Sequence, residues 1–430
     1  MNIRWWSPID PDKTEIGRYS QFLLPSLHSH FALDVVTDAT TFHNDYEPAH
    51  PVKGMLPVDL YNLGNSELHV GIAKQAMEQP GIVILHDVSL LELSLAFARW
   101  HRTLVPSKMA SLEYGVDAGI ALSALYGGEQ YDWCGESQAQ YDRFVTTYPL
   151  FRTFIGRAQG VIVHSDYAFR RVRRQYDGPV VRLNLPYPAP AMDVSVDIPE
   201  PPYNIVFCGH SAPNRRLAQF IEAWGSIGNP RAFRLNLYGN IDKADDIIAL
   251  ADGFGLDGLV NVVGFVEEHE LDRAIHDAHL AVNLRNPTMG EASASQLRYW
   301  ASAVPTIVSD TGWYGELPDD VVVKISPERE HEDLVAALEA FSSGAGSRFT
   351  CGPNGLAYLR QQHSIELYIE QLHRFVTSIV ERRFRDAIFD ERLIPLMGSM
   401  CDDVNESGMF TETLTDLSSM VEGLEKVRIN

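Results

Sequence analysis

The chain is poor in basic residues: 35 Lys and Arg stand against 57 Asp and Glu, for a formal charge of −22. That balance excludes a broad electrostatic footprint for nucleic acid or anionic lipid and leaves room only for a local basic cleft. No nucleic-acid partner is expected. Cysteine is scarce as well. Cys134, Cys208, Cys351 and Cys401 lie far apart, with neither metal-ligand nor disulfide spacing, which points to a reducing cytosol. No apolar run reaches membrane length, and Met1 to Pro8 contain no signal-peptide apolar core. The expectation is a cytoplasmic protein without a transmembrane segment, with peripheral contact at the inner face of the membrane left open. Three fingerprints are also missing. No G-x-G-x-x-G follows a first strand, no Walker loop is present, and no D-x-D pair ends a strand. Asp245-Asp246, Asp319-Asp320 and Asp402-Asp403 are adjacent pairs whose side chains diverge. Dehydrogenase or kinase chemistry, a bound cofactor and a metal are therefore not expected.

What is present is an alternation of short apolar strands and helical stretches, in a chain of 430 residues with 45% hydrophobic content, enough for two or three units. Strands are predicted at Ile3–Trp6, Leu33–Thr37, Leu60–Asn65, Gly81–Leu85 and Gly160–Ser165, with helices between them. Residues 90 to 156 read as helical and aromatic. Tyr126-Gly127-Gly128 and Tyr131-Asp132-Trp133 within that region are read as core in preference to a stacking surface for an acceptor sugar. Prolines crowd Leu185–Pro202, the clearest linker. A second series then begins, with strands at Tyr203–Cys208, Arg234–Tyr238, Val260–Val263, Leu280–Leu284, Thr306–Ser309 and Val321–Ile325. This pattern predicts an α/β protein with two Rossmann-like domains facing across a cleft. The expected divisions are 1–195 for the first domain, 203–365 for the second, a helix over 366–385 crossing back to the first, and an acidic helical tail over 386–430. The tail is either a helical appendage or a partner-binding arm.

The organising stretch is Asn283 to Arg298, a strand end, a small-residue loop and a helix start. The first amides of a helix have no internal partner, so Ala292, Ser293 and Ala294 would let a phosphate approach them, with Leu297 in the following turn. Glu291, like-charged to phosphate, is better suited to accept hydrogen bonds from hydroxyls. Phosphate and hydroxyls together suggest a sugar nucleotide; an ordinary turn with a capping carboxylate is the alternative. His86-Asp87 ends the fourth strand, where open α/β sheets place ligand contacts, although a capping Asp87 beside a packed histidine would look the same. Gly17 would allow backbone to approach a ligand. Arg215 and Arg216, in the loop after Cys208, would neutralise a departing diphosphate, since cations are disfavoured at a helix start without such a reason. Arg285 adds a third cation. The Arg170–Arg174 cluster reads as a solvated helix face or a contact for an anionic acceptor lipid.

Asn214-Arg215-Arg216, Val263-Gly264-Phe265-Val266, Arg285 to Glu291, Val308 to Gly312 and Glu316-Leu317-Pro318 together resemble glycosyltransferase family four, of the GT-B type. The resemblance is strongest over 203–330, and over 1–200 it rests on Ser7-Pro8, Gly17, Gly64-Asn65 and His86-Asp87. It implies metal-independent transfer of a sugar from a nucleoside diphosphate, such as a GDP- or UDP-sugar, with retention of configuration. A glycan, glycolipid or glycoprotein acceptor in surface polysaccharide or glycoconjugate synthesis would be implied. On this likeness Arg215 meets the diphosphate, Glu291 holds donor-sugar hydroxyls, Phe265 and Val266 meet the nucleobase, Gly239 belongs to the donor site, and His86 lies near the reacting sugar. The chain departs from the pattern twice. His210 stands where an arginine is common, and Arg298 or Tyr299 replaces the second glutamate of E-x7-E, which usually grips ribose. That loss motivates a second reading, a catalytically silent nucleotide-sugar binding subunit that recruits an active partner.

Overall fold

The computed structural model describes residues 1–10, 14–37, 57–101, 105–126, 138–190, 200–343 and 349–388. The readings at 127–128, 131–133 and 389–430 fall outside them, as do Cys134 and Cys401. The chain divides into two compact units, Met1–His373 and Arg374–Asn430.

The first half of the larger unit runs β1 (Asn2–Trp6), α1 (Glu15–His30), β2 (Ala32–Val36), β3 (Val58–Leu63), α2 (Val70–Glu78) and β4 (Ile82–Leu85). Helices α3 (Leu91–His101), α4 (Pro106–Tyr114), α5 (Val116–Tyr126), α6 (Gln138–Thr147) and α7 (Arg152–Ile155) follow, then β5 (Gly160–Val163), α8 (Asp166–Arg173) and β6 (Val180–Arg182). The strands form one parallel sheet in the order β2-β1-β3-β4-β5-β6. Ile82-Val83-Ile84-Leu85 and Gly160-Val161-Ile162-Val163 are buried throughout, as apolar runs covered on both faces of a parallel sheet must be. β6 was not predicted; three residues, Val-Val-Arg, at a sheet edge are too few to show a period.

The second half runs β7 (Tyr203–Cys208), α9 (Leu217–Gly225), β8 (Phe233–Tyr238), α10 (Ala244–Gly253), β9 (Val260–Gly264), α11 (Glu268–His276) and β10 (Leu280–Asn283). It continues with α12 (Ala294–Ala301), β11 (Thr306–Ser309), α13 (Gly312–Gly315), β12 (Val323–Ile325), α14 (Glu330–Ser342) and α15 (Cys351–Gln362), and α16 (Ile365–Ile388) ends the described chain. Its parallel sheet, β12-β11-β10-β7-β8-β9, is the Rossmann strand order, in which the winding reverses between β7 and β10. A crevice therefore opens beyond the carboxyl ends of those two strands. In the first sheet the reversal lies between β1 and β3.

The halves are docked at several places. The amides of Val88 and Ser89, after β4, both donate to the Met289 carbonyl at 2.9 Å, and the Met289 side chain enters the cluster formed by α3 to α6. On α8, the Asp166 amide and Arg170 donate to the Glu316 carboxylate, so this arginine joins the two halves instead of lying on a purely solvated face. The proline-rich segment is pinned where it begins: His363 Nδ1 donates to the Leu185 carbonyl at 2.7 Å, and the Tyr187 amide donates to the His363 carbonyl. At the start of α16, Tyr368 shares a 2.5 Å hydroxyl contact with Tyr19 of α1.

Candidate functional site

Arg215 lies in the turn that follows β7. Its Nη1 donates to Asn283 Oδ1 at 3.0 Å, at the end of β10, so one side chain bridges the two strands between which the winding reverses. Asn283 in turn donates to the Ser293 hydroxyl and the Gln296 side-chain oxygen, linking Arg215 to the start of α12. Its partners among the described residues are neutral oxygens, the second being the Cys208 carbonyl. Arg216, the next residue, differs. Its guanidinium grips both oxygens of Glu330 on α14, with Nε at 3.0 Å from each. Arg216 is thus an ion-pair partner for α14 and leaves the candidate diphosphate set.

Three other sequence expectations change in the same way. A Cβ on Gly17, in the first turn of α1, would meet the Asp10 carbonyl oxygen at 2.5 Å, so that glycine lets Asp10, ahead of the helix, pack against it. Leu297 is fully buried, a core residue. Arg285 is also buried and its Nε donates to Glu291 at 2.9 Å, so it is no free cation. Glu291 accepts in addition from the Met289 amide at 2.8 Å and the Thr288 hydroxyl at 3.2 Å. A carboxylate has about four acceptor sites, so roughly one remains open. Ser293 is the N-cap of α12, its hydroxyl accepting from the Gln296 amide, between the half-buried Ala292 and Ala294.

Beside this junction the loops after β7, β8 and β9 line a cavity of about 490 Å³ that also takes in Thr14, Glu15 and Arg18 of the first half. Gly209 and Gly239 have φ of +122° and +104°, and a Cβ on Gly239 would lie 2.5 Å from the Gly209 carbonyl oxygen; glycine permits both the conformation and the approach. Phe265 stands at this cavity with 78% of its surface exposed, next to Val266. Arg298 reaches the same cavity and is held by Asp272 and Glu268 of α11. His210, at the place of the missing arginine, is paired with Asp242 and Asn240.

The first half contributes a different environment. His86 Nε2 lies 3.0 Å from Asn62 Oδ1, and Asn62 Nδ2 donates to the Trp6 carbonyl. The amide oxygen therefore accepts from His86 Nε2–H, and Nδ1 keeps a lone pair. Burial, then the neighbouring His164 and His69, hold the His86 ring neutral, well below the usual histidine range. Burial likewise pulls His69 and His164 down to about 4. Asp87 accepts from the Asn65 amide at 2.7 Å. Burial first and the Glu291 charge second push its carboxyl up to about 7, which places it electrostatically opposite the second half's loop.

Sequence reasoning missed the Arg18–Glu268–Arg298 cluster. Arg18 and Glu268 are 250 positions apart and neither belongs to a spaced motif; the one local signal was Glu267-Glu268 directly after Gly264-Phe265-Val266. No described helix is long and apolar enough to cross a membrane.

No protein-family model matches this chain. No curated protein sequence matches it either. Solved structures do. Sucrose-phosphate synthase from Thermosynechococcus elongatus is 14% identical, with 88% of this chain and 99% of that one covered at a TM-score of 0.59. WaaG, a glycosyltransferase involved in lipopolysaccharide biosynthesis, is 13% identical over 87% of this chain and all of its own, at 0.53. HepE from Anabaena, solved in complex with UDP, is 13% identical over 88% of this chain and all of its own, also at 0.53. At these identities the likeness is one of fold, and that fold is GT-B.

Proposed function

We propose that this chain is a hexosyltransferase that moves a sugar from a nucleoside diphosphate to a glycan, glycolipid or glycoprotein acceptor, with retention of configuration and without a metal ion, in surface polysaccharide or glycoconjugate synthesis. The observation that carries the proposal is Arg215. It is a cation with only neutral partners among the described residues, fixed where β7, β10 and the start of α12 converge, beside a cavity with an exposed aromatic ring. Fixed positive charge at that point suits a leaving diphosphate, because preorganised groups aimed at developing charge need no reorganisation during reaction. The first amides of α12 add donors.

On this reading Glu291, oriented by Arg285, Thr288 and the Met289 amide, offers its remaining acceptor site to a hydroxyl of the donor sugar. His86 offers Nδ1 as a second acceptor and orients the sugar, since a ring held neutral keeps that lone pair. As the bond from sugar to phosphate breaks, the acceptor oxygen bonds to the anomeric carbon on the same face, and the acceptor proton passes to the departing phosphate oxygen. Phe265 and Val266 receive the base. The UDP bound to HepE and the lipopolysaccharide role of WaaG support testing uridine donors and lipid-linked glycans first.

The test is thermal stabilisation by UDP, GDP, ADP and their sugar conjugates, followed by a transfer assay with the stabilising donor. Ligand that binds only the folded state at 100 times its Kd adds about 2.7 kcal/mol. Stabilisation by one nucleotide with transfer is expected. Stabilisation without transfer or donor hydrolysis would favour the silent binding subunit, a reading that Arg298 or Tyr299 in place of the second glutamate also supports. No stabilisation by any of them would remove the donor cleft.

A further inference from the structure

Glu268 opens α11, three residues after Phe265, and lines the same cavity. Its carboxylate is held from two sides. Arg18 of the first half approaches with Nη1 and Nη2, one to each oxygen, and Arg298 of α12 donates Nη2 to Oε2 at 2.8 Å. Both arginines are largely buried, with side-chain exposures of 12% and 9%, while 48% of the Glu268 side chain remains open. Burial would raise the Glu268 carboxyl, but the two guanidinium groups outweigh it and hold it below the usual range. It is therefore ionised at neutral pH. Three donor contacts fall on about four acceptor sites, so the carboxylate can take a further donor.

The chemistry of that donor is constrained by its surroundings. The two guanidinium groups, shared with Glu15 and Asp272, already occupy most of the Glu268 oxygens, so about one acceptor site is open and not the several oxygens a metal ion takes, while a phosphate would meet the carboxylate itself. A neutral hydroxyl meets neither objection, and it gains a charge-assisted hydrogen bond. Phe265, with its ring open to the cavity, offers a stacking face beside this acceptor. A flat base followed at once by hydroxyls is a ribonucleoside. We infer that Glu268, clamped between Arg18 and Arg298, accepts hydrogen bonds from the ribose hydroxyls of the donor; this rests on the donor-cleft reading above. Because Arg18 belongs to the opposite half, the group that reads the ribose is also one that joins the halves.

Binding of UDP, GDP and ADP to the full chain is measured by calorimetry, and the tightest is compared with its 2′-deoxy and 3′-deoxy analogues. Loss of the hydroxyl that meets Glu268 is expected to weaken binding about 10- to 100-fold, the usual worth of a hydrogen bond to a charged group. Glu268→Ala should erase that preference by weakening the ribonucleotide alone, leaving the deoxy analogue bound as in the parent protein. Binding of the deoxy analogue also reports that the variant is folded, and the parent protein by itself already decides the first point. Ribo and deoxy forms bound within about threefold by the parent protein, or a preference that survives Glu268→Ala, would overturn the inference while leaving the donor cleft in place. Failure of every nucleotide to bind would remove both.

Discussion

The two halves have the same architecture, yet their crevice edges treat charge in opposite ways. Around β7 and β10 the edge is ionic: Arg215, the Arg285–Glu291 pair, and Glu268 between two guanidinium groups. Around β4 and β5 it is neutral, with His69, His86 and His164 buried and uncharged beside the Tyr19–Tyr368 hydroxyl pair. A diphosphate needs fixed positive charge, whereas a sugar offers hydroxyls that need lone pairs and a dry wall. The difference teaches that one parallel-sheet scaffold, used twice, can carry an ionic crevice edge and a neutral one; under the proposed function the ionic edge would meet the diphosphate and the neutral edge would face the sugar.

The strongest way to break that comparison is at Arg215. Arg215→Ala is expected to lower turnover at saturating donor by about 10²- to 10³-fold, the usual loss when one charge-stabilising donor is removed. Turnover within threefold of the parent protein would show that the ionic edge does not act on the leaving group. The neighbouring Arg216→Ala separates charge from position. Its partner Glu330 would be left half-buried and unpaired, at a cost of about 3 kcal/mol. Urea unfolding should register that loss while the folded fraction keeps its nucleotide affinity; an affinity loss at undiminished stability would return Arg216 to the donor site.

That contrast also marks how far the sequence could be read. Alternation of short apolar runs with helical stretches announced two parallel sheets, because strands covered on both faces leave uninterrupted apolar runs such as Ile82–Leu85 and Leu280–Val282. Placement at strand ends and in the loops after them singled out Arg215, His86 and Glu291, and the family resemblance singled out Phe265. Placement could not tell Arg215 from Arg216, since the partner that engages one of them, Glu330, lies 114 positions away. Nor could it find Arg18, whose partner belongs to the other half. Gly17 and Leu297 show the same limit: small or apolar residues near a site look alike in sequence whether they face a ligand or pack against the protein, as both do here. Short local patterns carry backbone geometry, while the pairing of charges is settled by tertiary contacts.

Phe265 sharpens the comparison on a smaller scale. A ring with 78% exposure contributes little to folding, so Phe265→Ala should leave the unfolding midpoint in place. If the ring stacks on the base, nucleotide affinity should fall by the ~1–3 kcal/mol typical of base–aromatic stacking. Unchanged affinity in a titration with the stabilising nucleotide would detach the base from this ring.

The neutral edge has its own test, set by proton linkage. In the folded chain His69 and His164 titrate at about 4, below the 6.5 of an unperturbed histidine. Between these values the unfolded chain binds protons that the folded chain refuses, so stability must fall as pH drops from 6.5 toward 4. Each of the two should contribute a loss of about 1 kcal/mol by pH 5.5, and His86 shifts in the same direction. Asp87 opposes them, because a carboxyl raised to about 7 favours the folded state on acidification. Outside this edge His363, also at about 4, and His279 add to the loss, while the raised carboxyls of Glu15, Glu92, Glu113 and Glu316 join Asp87 in opposing it; the five histidines are expected to prevail, giving a lower urea midpoint at pH 5.5 than at pH 7.5. His164→Gln, which removes one titrating ring, should flatten that slope. A slope that His164→Gln leaves unchanged would mean that this ring titrates alike in the folded and unfolded chain, and the division between an ionic and a neutral edge would not hold.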